Sequence, residues 1–139
     1  APEGFKPFFK LARDAAAPDY LEAVVRMRMG LLNRNYMGTH FGGSLYAMTD
    51  PFFALLVMNR LGRKYVVWDK SSSIDYKLPG RGTVRATFRI TPEQVEEIRQ
   101  ATAGGGKYEP TFCVDVMNHQ GEVVATVEKT IYVRLKPAA

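Results

Sequence analysis

Apolar and polar residues alternate along the second half of the chain, the pattern of strands with one buried face. The alternation is clearest over residues 83–90, where apolar side chains are separated by threonine and arginine. Two further segments, residues 111–117 and 122–134, flank a turn at residues 118–121 and predict a hairpin. A further strand is predicted over residues 65–78, ahead of a Pro-Gly turn.

Two other segments have the pattern of helices. Residues 44–61 are apolar on most sides, which predicts a long helix that is buried against a sheet and ends at Gly62. Residues 91–94 read Thr-Pro-Glu-Gln, which supplies an N-cap, a first-position proline and a third-position glutamine. These features predict a short helix over residues 92–103.

The amino-terminal segments have less regular patterns. Residues 1–20 contain a partial apolar stripe that stops at Pro18, which predicts a short helical extension. Residues 21–33 fit either a strand or a helix, because apolar residues alternate there but the composition also suits a helix. We favour a strand, because Gly30, an asparagine pair and Gly38 follow closely.

The predicted order of elements is typical of an α+β fold with an antiparallel sheet. The chain of 139 residues suits a single domain, 1–139, with the extension at 1–20 and an inserted helix at 92–103. One long helix covers only part of a curved sheet, so much of the sheet has no second layer packed against it. Self-association is therefore expected.

Composition and charge narrow the possible partners. Hydrophobic residues make up 46% of the chain, and no apolar run reaches the roughly 20 residues of a membrane span. No signal peptide is recognised, and the single cysteine fits the expectation of a cytoplasmic protein. The net charge is +5, but the basic residues are scattered without interleaved aromatics, which argues against nucleic acid. A small polyanionic ligand is compatible with this charge.

The cysteine and histidine content argues against disulfide and metal chemistry. Cys113 is the only cysteine, so an intrachain disulfide and a cysteine metal cluster are excluded. Its apolar strand predicts a buried structural thiol. His40 and His119 lack the spacing of metal ligands, so no metal site is expected.

The candidate chemistry lies between Asn35 and Asp50. A glycine-rich segment with Gly42 and Gly43 precedes the apolar helix that carries Asp50. Freed backbone N–H groups near a helix start can hold a developing oxyanion, and a carboxylate can hold or activate a water. An acyl-transfer hydrolase needs both parts. A second interpretation stays open, because Asp50 followed by Pro51 is also a good N-cap pair for a helix.

The local pattern resembles the hotdog-fold acyl-CoA thioesterase superfamily, and the phenylacetate-pathway type in particular. The residues that match its motif are Asn35, Gly38, Thr39, Gly42, Gly43 and Asp50. The resemblance covers about residues 24–134. It implies a curved antiparallel sheet wrapped around a long central helix, with protomers associated as a dimer or a dimer of dimers. It also implies hydrolysis of an acyl thioester without any cofactor apart from the coenzyme A of the substrate.

The resemblance also implies roles for individual residues. Asp50 would act as general base or nucleophile, the Gly42 N–H would polarise the thioester carbonyl, and Asn35 would orient it. Further substrate contacts are expected from Gly43, His40, Phe41, Ser72, Arg81 and Arg85, with the two arginines as candidates for coenzyme A phosphates.

Three departures from the motif indicate a divergent branch. Phe41 stands where the family has histidine, Pro51 follows the acid directly, and Ala54 replaces a hydroxyl residue. Two alternatives therefore stay open. One is a non-catalytic acyl- or lipid-binding protein, and the other is a hydratase or dehydratase that uses His40 with Asp50.

Overall fold

The computed structural model describes residues 10–16, 21–28, 45–46 and 48–137. These contain six strands and two helices that we number in chain order. The strands are β1 (Lys10–Ala16), β2 (Glu22–Arg28), β3 (Tyr65–Tyr76), β4 (Val84–Arg89), β5 (Thr111–Asn118) and β6 (Val123–Leu135). The helices are α1 (Phe52–Leu61) and α2 (Pro92–Thr102).

The strands form one antiparallel sheet in the order β1-β2-β4-β5-β6-β3. The longest pairing joins β3 to β6, from Tyr65 opposite Leu135 to Tyr76 opposite Ala125. A bulge between Asp69 and Ser71 interrupts this register. Because β3 is last in the strand order, it lies at one edge of the sheet, and the bulge falls near the middle of its length.

Helix α1 packs on one face of the sheet through its apolar side chains. Phe53 is buried between two aromatic residues of the sheet. Its ring centroid lies 5.2 Å from that of Phe88 and 5.0 Å from that of Phe112. Gly62 ends the helix with a φ of 91°, and its N–H donates to the Met58 carbonyl at 2.9 Å. The sequence predicted this end of the helix correctly.

Helix α2 begins with the predicted capping box. The Thr91 hydroxyl accepts from the Gln94 N–H at 3.1 Å, and the Gln94 side chain accepts from the Thr91 N–H at 2.9 Å. Val95 and Ile98 are buried on its inner side. The strands predicted in the second half, and the strand preferred for β2, are also confirmed.

The helical prediction for residues 1–20 is wrong where the structure describes the segment. Lys10–Ala16 is a strand that pairs with β2, from Lys10 opposite Arg28 to Ala16 opposite Ala23. Backbone hydrogen bonds to β2, the next strand along the chain, accompany this conformation, and a local apolar stripe does not report them.

Two further expectations need correction. The helix predicted over residues 44–61 is interrupted, because residues 48–51 form a turn and α1 begins only at Phe52. Pro51 has no N–H to continue a helix across this point. Cys113 is exposed, because it lies between the buried residues Phe112 and Val114 on the opposite face of β5. Neither described helix has the length and apolar content needed to cross a membrane.

Candidate active site

An open cavity of about 400 Å³ lies where the turn before α1 meets strands β3 and β6. Its lining is rich in charged and hydroxyl side chains. The lining residues are Tyr46, Asp50, Asp69, Lys70, Ser71, Ser72 and Lys129. Asp50, the central candidate of the sequence analysis, therefore faces a cavity.

Lys129 forms the floor of this cavity. It occupies an inward position of β6, two residues from Val127 and from Ile131, which are both buried. Among the residues that the structure describes, it is the one charged residue in the buried class. A buried ammonium is costly unless oppositely charged groups and hydrogen bonds compensate it.

Two carboxylates provide that compensation. The Lys129 Nζ donates to Asp50 Oδ1 at 2.6 Å and lies 3.5 Å from Asp69 Oδ2. The Lys129 side chain is 4% exposed, whereas those of Asp50 and Asp69 are 51% and 31% exposed. The cation thus lies beneath two carboxylates that both reach solvent.

Asp69 is brought to this cluster by the edge strand and its bulge. Asp69 pairs with Ile131 and Ser72 pairs with Lys129, so the bulge places an additional residue between them. Bulges next to sites commonly redirect side chains in this way. The pKa of Asp69 is raised above its usual value, chiefly because of burial and also because of the neighbouring Asp50, while Lys129 opposes the shift.

Hydroxyl groups complete the described wall of the cavity. The Tyr46 hydroxyl is hydrogen-bonded to the Ser72 hydroxyl. Tyr46 is held in turn by Thr49, whose hydroxyl donates to the Tyr46 carbonyl at 2.7 Å. These contacts connect the turn before α1 with β3, so the cavity spans elements that are far apart in sequence.

Asp50 does not cap α1. Pro51 is the N-cap residue of that helix, and no side-chain hydrogen bond caps it. The interpretation of Asp50 as an N-cap is therefore wrong, since its carboxylate accepts from Lys129 instead.

The other predicted site residues lie in different places. Asn35, His40, Phe41, Gly42 and Gly43 lie outside the described residues. Ser72 lines the cavity, as noted above. Arg81 and Arg85 are absent from that lining. Arg85 instead lines a second cavity of about 560 Å³, which also includes Cys113 and His119.

The sequence analysis missed Lys129, Asp69 and Tyr46. A signal was available for Lys129, because it occupies an inward position in the alternation of β6, where neighbouring inward residues are apolar. Asp69 and Tyr46 gave no comparable signal. In the described ranges, no group of three or more His, Cys, Asp and Glu side chains has an arrangement that could hold a metal ion.

Comparison with protein families identifies the chain at the family level. The model of a family named DUF4442, a domain of unknown function, matches residues 8–133. The chain belongs to the DUF4442 family. A comparison with curated protein sequences finds no match to this DUF4442 chain.

Several solved structures with a similar fold are described as probable or hypothetical thioesterases. A protein of unknown function from Pseudomonas aeruginosa, called a probable thioesterase, has a TM-score of 0.80 at 20% identity and covers 91% of this chain and 83% of its own. A hypothetical thioesterase with coenzyme A from Streptococcus pneumoniae has a TM-score of 0.66 at 18% identity, with coverage of 93% and 89%.

The E. coli PaaI protein, from the phenylacetic acid degradation operon, is a third solved structure with a similar fold. It has a TM-score of 0.65 at 19% identity and covers 92% of this chain and 81% of its own. These similarities establish that the DUF4442 chain has the α+β, thioesterase-like hotdog fold that its motif predicted.

Proposed function

We propose that the DUF4442 chain hydrolyses acyl thioesters, with acyl-CoA as the substrate class. The observation that carries this proposal is the position of Asp50. Its carboxylate faces a cavity, reaches solvent, and belongs to a fold shared with proteins described as thioesterases. A carboxylate in this setting can accept a proton from a water molecule.

In the proposed reaction, Asp50 takes a proton from water while the water oxygen bonds to the thioester carbonyl carbon. The carbonyl oxygen becomes an oxyanion, which the Gly42 N–H would stabilise and Asn35 would help to orient. The intermediate then expels the thiolate as the C–S bond breaks, and the proton passes from Asp50 to the thiolate or to solvent. The products are a carboxylic acid and a thiol.

The remaining sequence candidates fit this proposal as substrate contacts. Ser72 lines the cavity. Gly43, His40 and Phe41 would contact the substrate. The coenzyme A structure among the fold neighbours is compatible with a coenzyme A ester as the ligand. Contacts from Arg81 and Arg85 to its phosphates would require the coenzyme to extend beyond the cavity.

We also propose that the protein self-associates, as a dimer or a dimer of dimers. β3 supports this proposal, because it is a twelve-residue strand at the edge of the sheet in the described part of the chain. A long edge strand presents backbone groups that can pair with another strand. Asp69 and Ser72 lie on β3, so pairing there would bring a second protomer close to the cavity.

The direct test is a hydrolysis screen with a panel of acyl-CoA esters and detection of the free thiol. We expect Asp50→Asn to lower turnover by about 10²- to 10⁴-fold while leaving the circular dichroism spectrum unchanged. Asp75→Asn is the matched control, because Asp75 is an exposed β3 carboxylate that pairs with Lys77 at 2.9 Å. Equal rates for wild type and Asp50→Asn would contradict the proposal.

A second candidate function is acyl or lipid binding without catalysis. The Lys129–Asp50 ion pair favours it, because a carboxylate held by a buried cation is a weaker base. This alternative predicts that the wild-type protein binds a non-hydrolysable thioether analogue by calorimetry and releases no thiol from any ester.

A further inference from the structure

The Lys129–Asp50 contact poses a problem for a base at this position. An ammonium in contact with a carboxylate stabilises the ionised form and lowers its pKa by roughly 1–3 units. Lys129 is sealed beneath the cavity, so solvent screens its charge poorly. A carboxylate paired with such a cation alone is a poor proton acceptor.

The position of Asp69 provides a counterbalance. Its Oδ2 lies 3.5 Å from the same Nζ that contacts Asp50 Oδ1 at 2.6 Å. One positive charge is therefore shared between two carboxylates. When both carboxylates are ionised, the cluster has a net negative charge, and proton uptake by one of them becomes easier.

The hydrogen-bonding geometry distinguishes the two carboxylates. Lys129 donates to Asp50 at hydrogen-bond distance, whereas its distance to Asp69 is that of a looser ion pair. The contact with Oδ1 of Asp50 orients the carboxyl group toward the cavity that it lines. Lys129 on β6 also ties the turn that carries Asp50 to the sheet.

The other charged side chain that lines the cavity, Lys70, has an ion-pair partner outside this cluster. The Lys70 ammonium donates to both carboxylate oxygens of Glu109 at 2.8 Å. Lys107 also pairs with Glu109, at 2.9 Å. Tyr46, the remaining titratable residue of the lining, is hydrogen-bonded to Ser72. Lys129 and Asp69 are therefore the charged groups that act directly on Asp50.

We propose that Lys129 and Asp69 are positioning residues for Asp50. The buried ammonium holds one oxygen of Asp50, and the Asp69 carboxylate offsets the charge of that ammonium so that Asp50 remains an effective proton acceptor. This inference rests on the proposed role of Asp50 as the base. It assigns a function to two residues that lie outside the motif at residues 35–50.

The test uses the two opposite charge changes in the cluster. Asp69→Asn removes the counterbalance, so the acidic limb of the kcat/KM profile should move to lower pH by about one unit. Lys129→Met leaves two carboxylates without their cation, so the same limb should move to higher pH by about one unit. Turnover should fall in both variants.

The matched controls are Asp75→Asn and Lys77→Met, which disrupt an exposed lysine–carboxylate pair at the end of the same edge strand. Both controls should leave the pH profile unchanged. A purely structural role would lower activity without opposite displacements of the limb. Displacement in the same direction, or no displacement in either cluster variant, would overturn the inference.

A second measurement separates this inference from the proposed function. Carbon-13 NMR of the labelled aspartate carboxyl groups reports the Asp50 titration directly, without any substrate. We expect the pH dependence of the Asp50 carbon-13 signal to move to lower pH in Asp69→Asn and to higher pH in Lys129→Met. If the wild type hydrolyses no ester but these shifts occur, only the thioesterase proposal fails; if Asp50 titrates identically in wild type and Asp69→Asn, the positioning inference fails. Asp69 reaches solvent, so Asp69→Asn serves as the test even if Lys129→Met does not fold.

Discussion

At the scale of single residues, the charge of the cavity depends on one inward-facing lysine. Lys129 lies where the alternation of β6 would normally place an apolar side chain, and two carboxylates from other elements surround its ammonium. Removing one member of such a buried pair leaves an uncompensated charge, which is strongly unfavourable. Substitutions in this cluster should therefore affect stability as well as activity.

The raised pKa of Asp69 predicts a specific pH dependence of stability. The unfolded chain releases this proton near 3.8, whereas the folded chain holds it to higher pH, chiefly because of burial. The unfolded state thus binds fewer protons between these values, so this group makes the free energy of unfolding fall as pH rises. The contribution is constant above the folded pKa.

Asp69→Asn should remove this dependence. In urea unfolding between about pH 3 and pH 7, the variant should gain stability relative to wild type as pH rises through the Asp69 titration. Asp75→Asn, at an exposed position of the same strand, should show no such trend. A difference between Asp69→Asn and wild type that is independent of pH would contradict the expectation.

At the scale of elements, α1 is held to the sheet mainly by aromatic packing. Phe53 contacts Phe88 edge-on and stacks on Phe112, so it joins α1 to β4 and β5. Truncation of a fully buried phenylalanine combines lost hydrophobic burial with a cavity. This helix follows directly on the turn that carries Asp50, so its packing also positions the candidate base.

Phe53→Ala should lower the free energy of unfolding by about 3–5 kcal/mol. Leu55→Ala is the control on the same helix, because Leu55 is exposed, and it should cost less than about 1 kcal/mol. Urea denaturation followed by circular dichroism measures both values. Equal losses for the two variants would show that α1 is not held by its inner face.

The capping box of α2 gives a prediction at the same scale. Thr91→Ala removes the acceptor for the Gln94 N–H and should cost about 1 kcal/mol of stability. Glu96→Ala, at an exposed position of the same helix, should change stability by less than about 0.5 kcal/mol. Urea denaturation measures both changes, from the shift in midpoint at a constant m value. A Thr91→Ala protein as stable as wild type would show that the cap is dispensable.

At the scale of the whole molecule, the edge strand β3 relates the proposed assembly to the cavity. Exposed lysines on edge strands discourage pairing with another chain. Ser73→Lys, on β3, should therefore shift the protein toward monomer in sedimentation velocity. Thr87→Lys, at an exposed position of the interior strand β4, is the control and should keep the assembly. Dissociation by both variants, or by neither, would place the interface elsewhere.

The sequence by itself determined the elements whose signals are local. Alternation predicted β4, β5 and most of β6, and side-chain capping predicted the start of α2, because both depend on neighbouring residues in the chain. The six motif residues between Asn35 and Asp50 predicted the hotdog fold through their resemblance to a known family, and they supplied one member of the candidate site, Asp50. Lys129 carried a usable signal, because a charge at an inward strand position breaks the local period.

Only the tertiary structure decided the features that depend on pairing between strands and on contacts between distant segments. Lys10–Ala16 is a strand because β2 pairs with it, and the stripe in residues 1–20 could not report that partner. Asp50, Asp69 and Lys129 come from a turn and two strands, and they meet because the β3–β6 register and its bulge align them. Registers of this kind result from the whole sheet, so no local pattern specifies which charges will share one cavity.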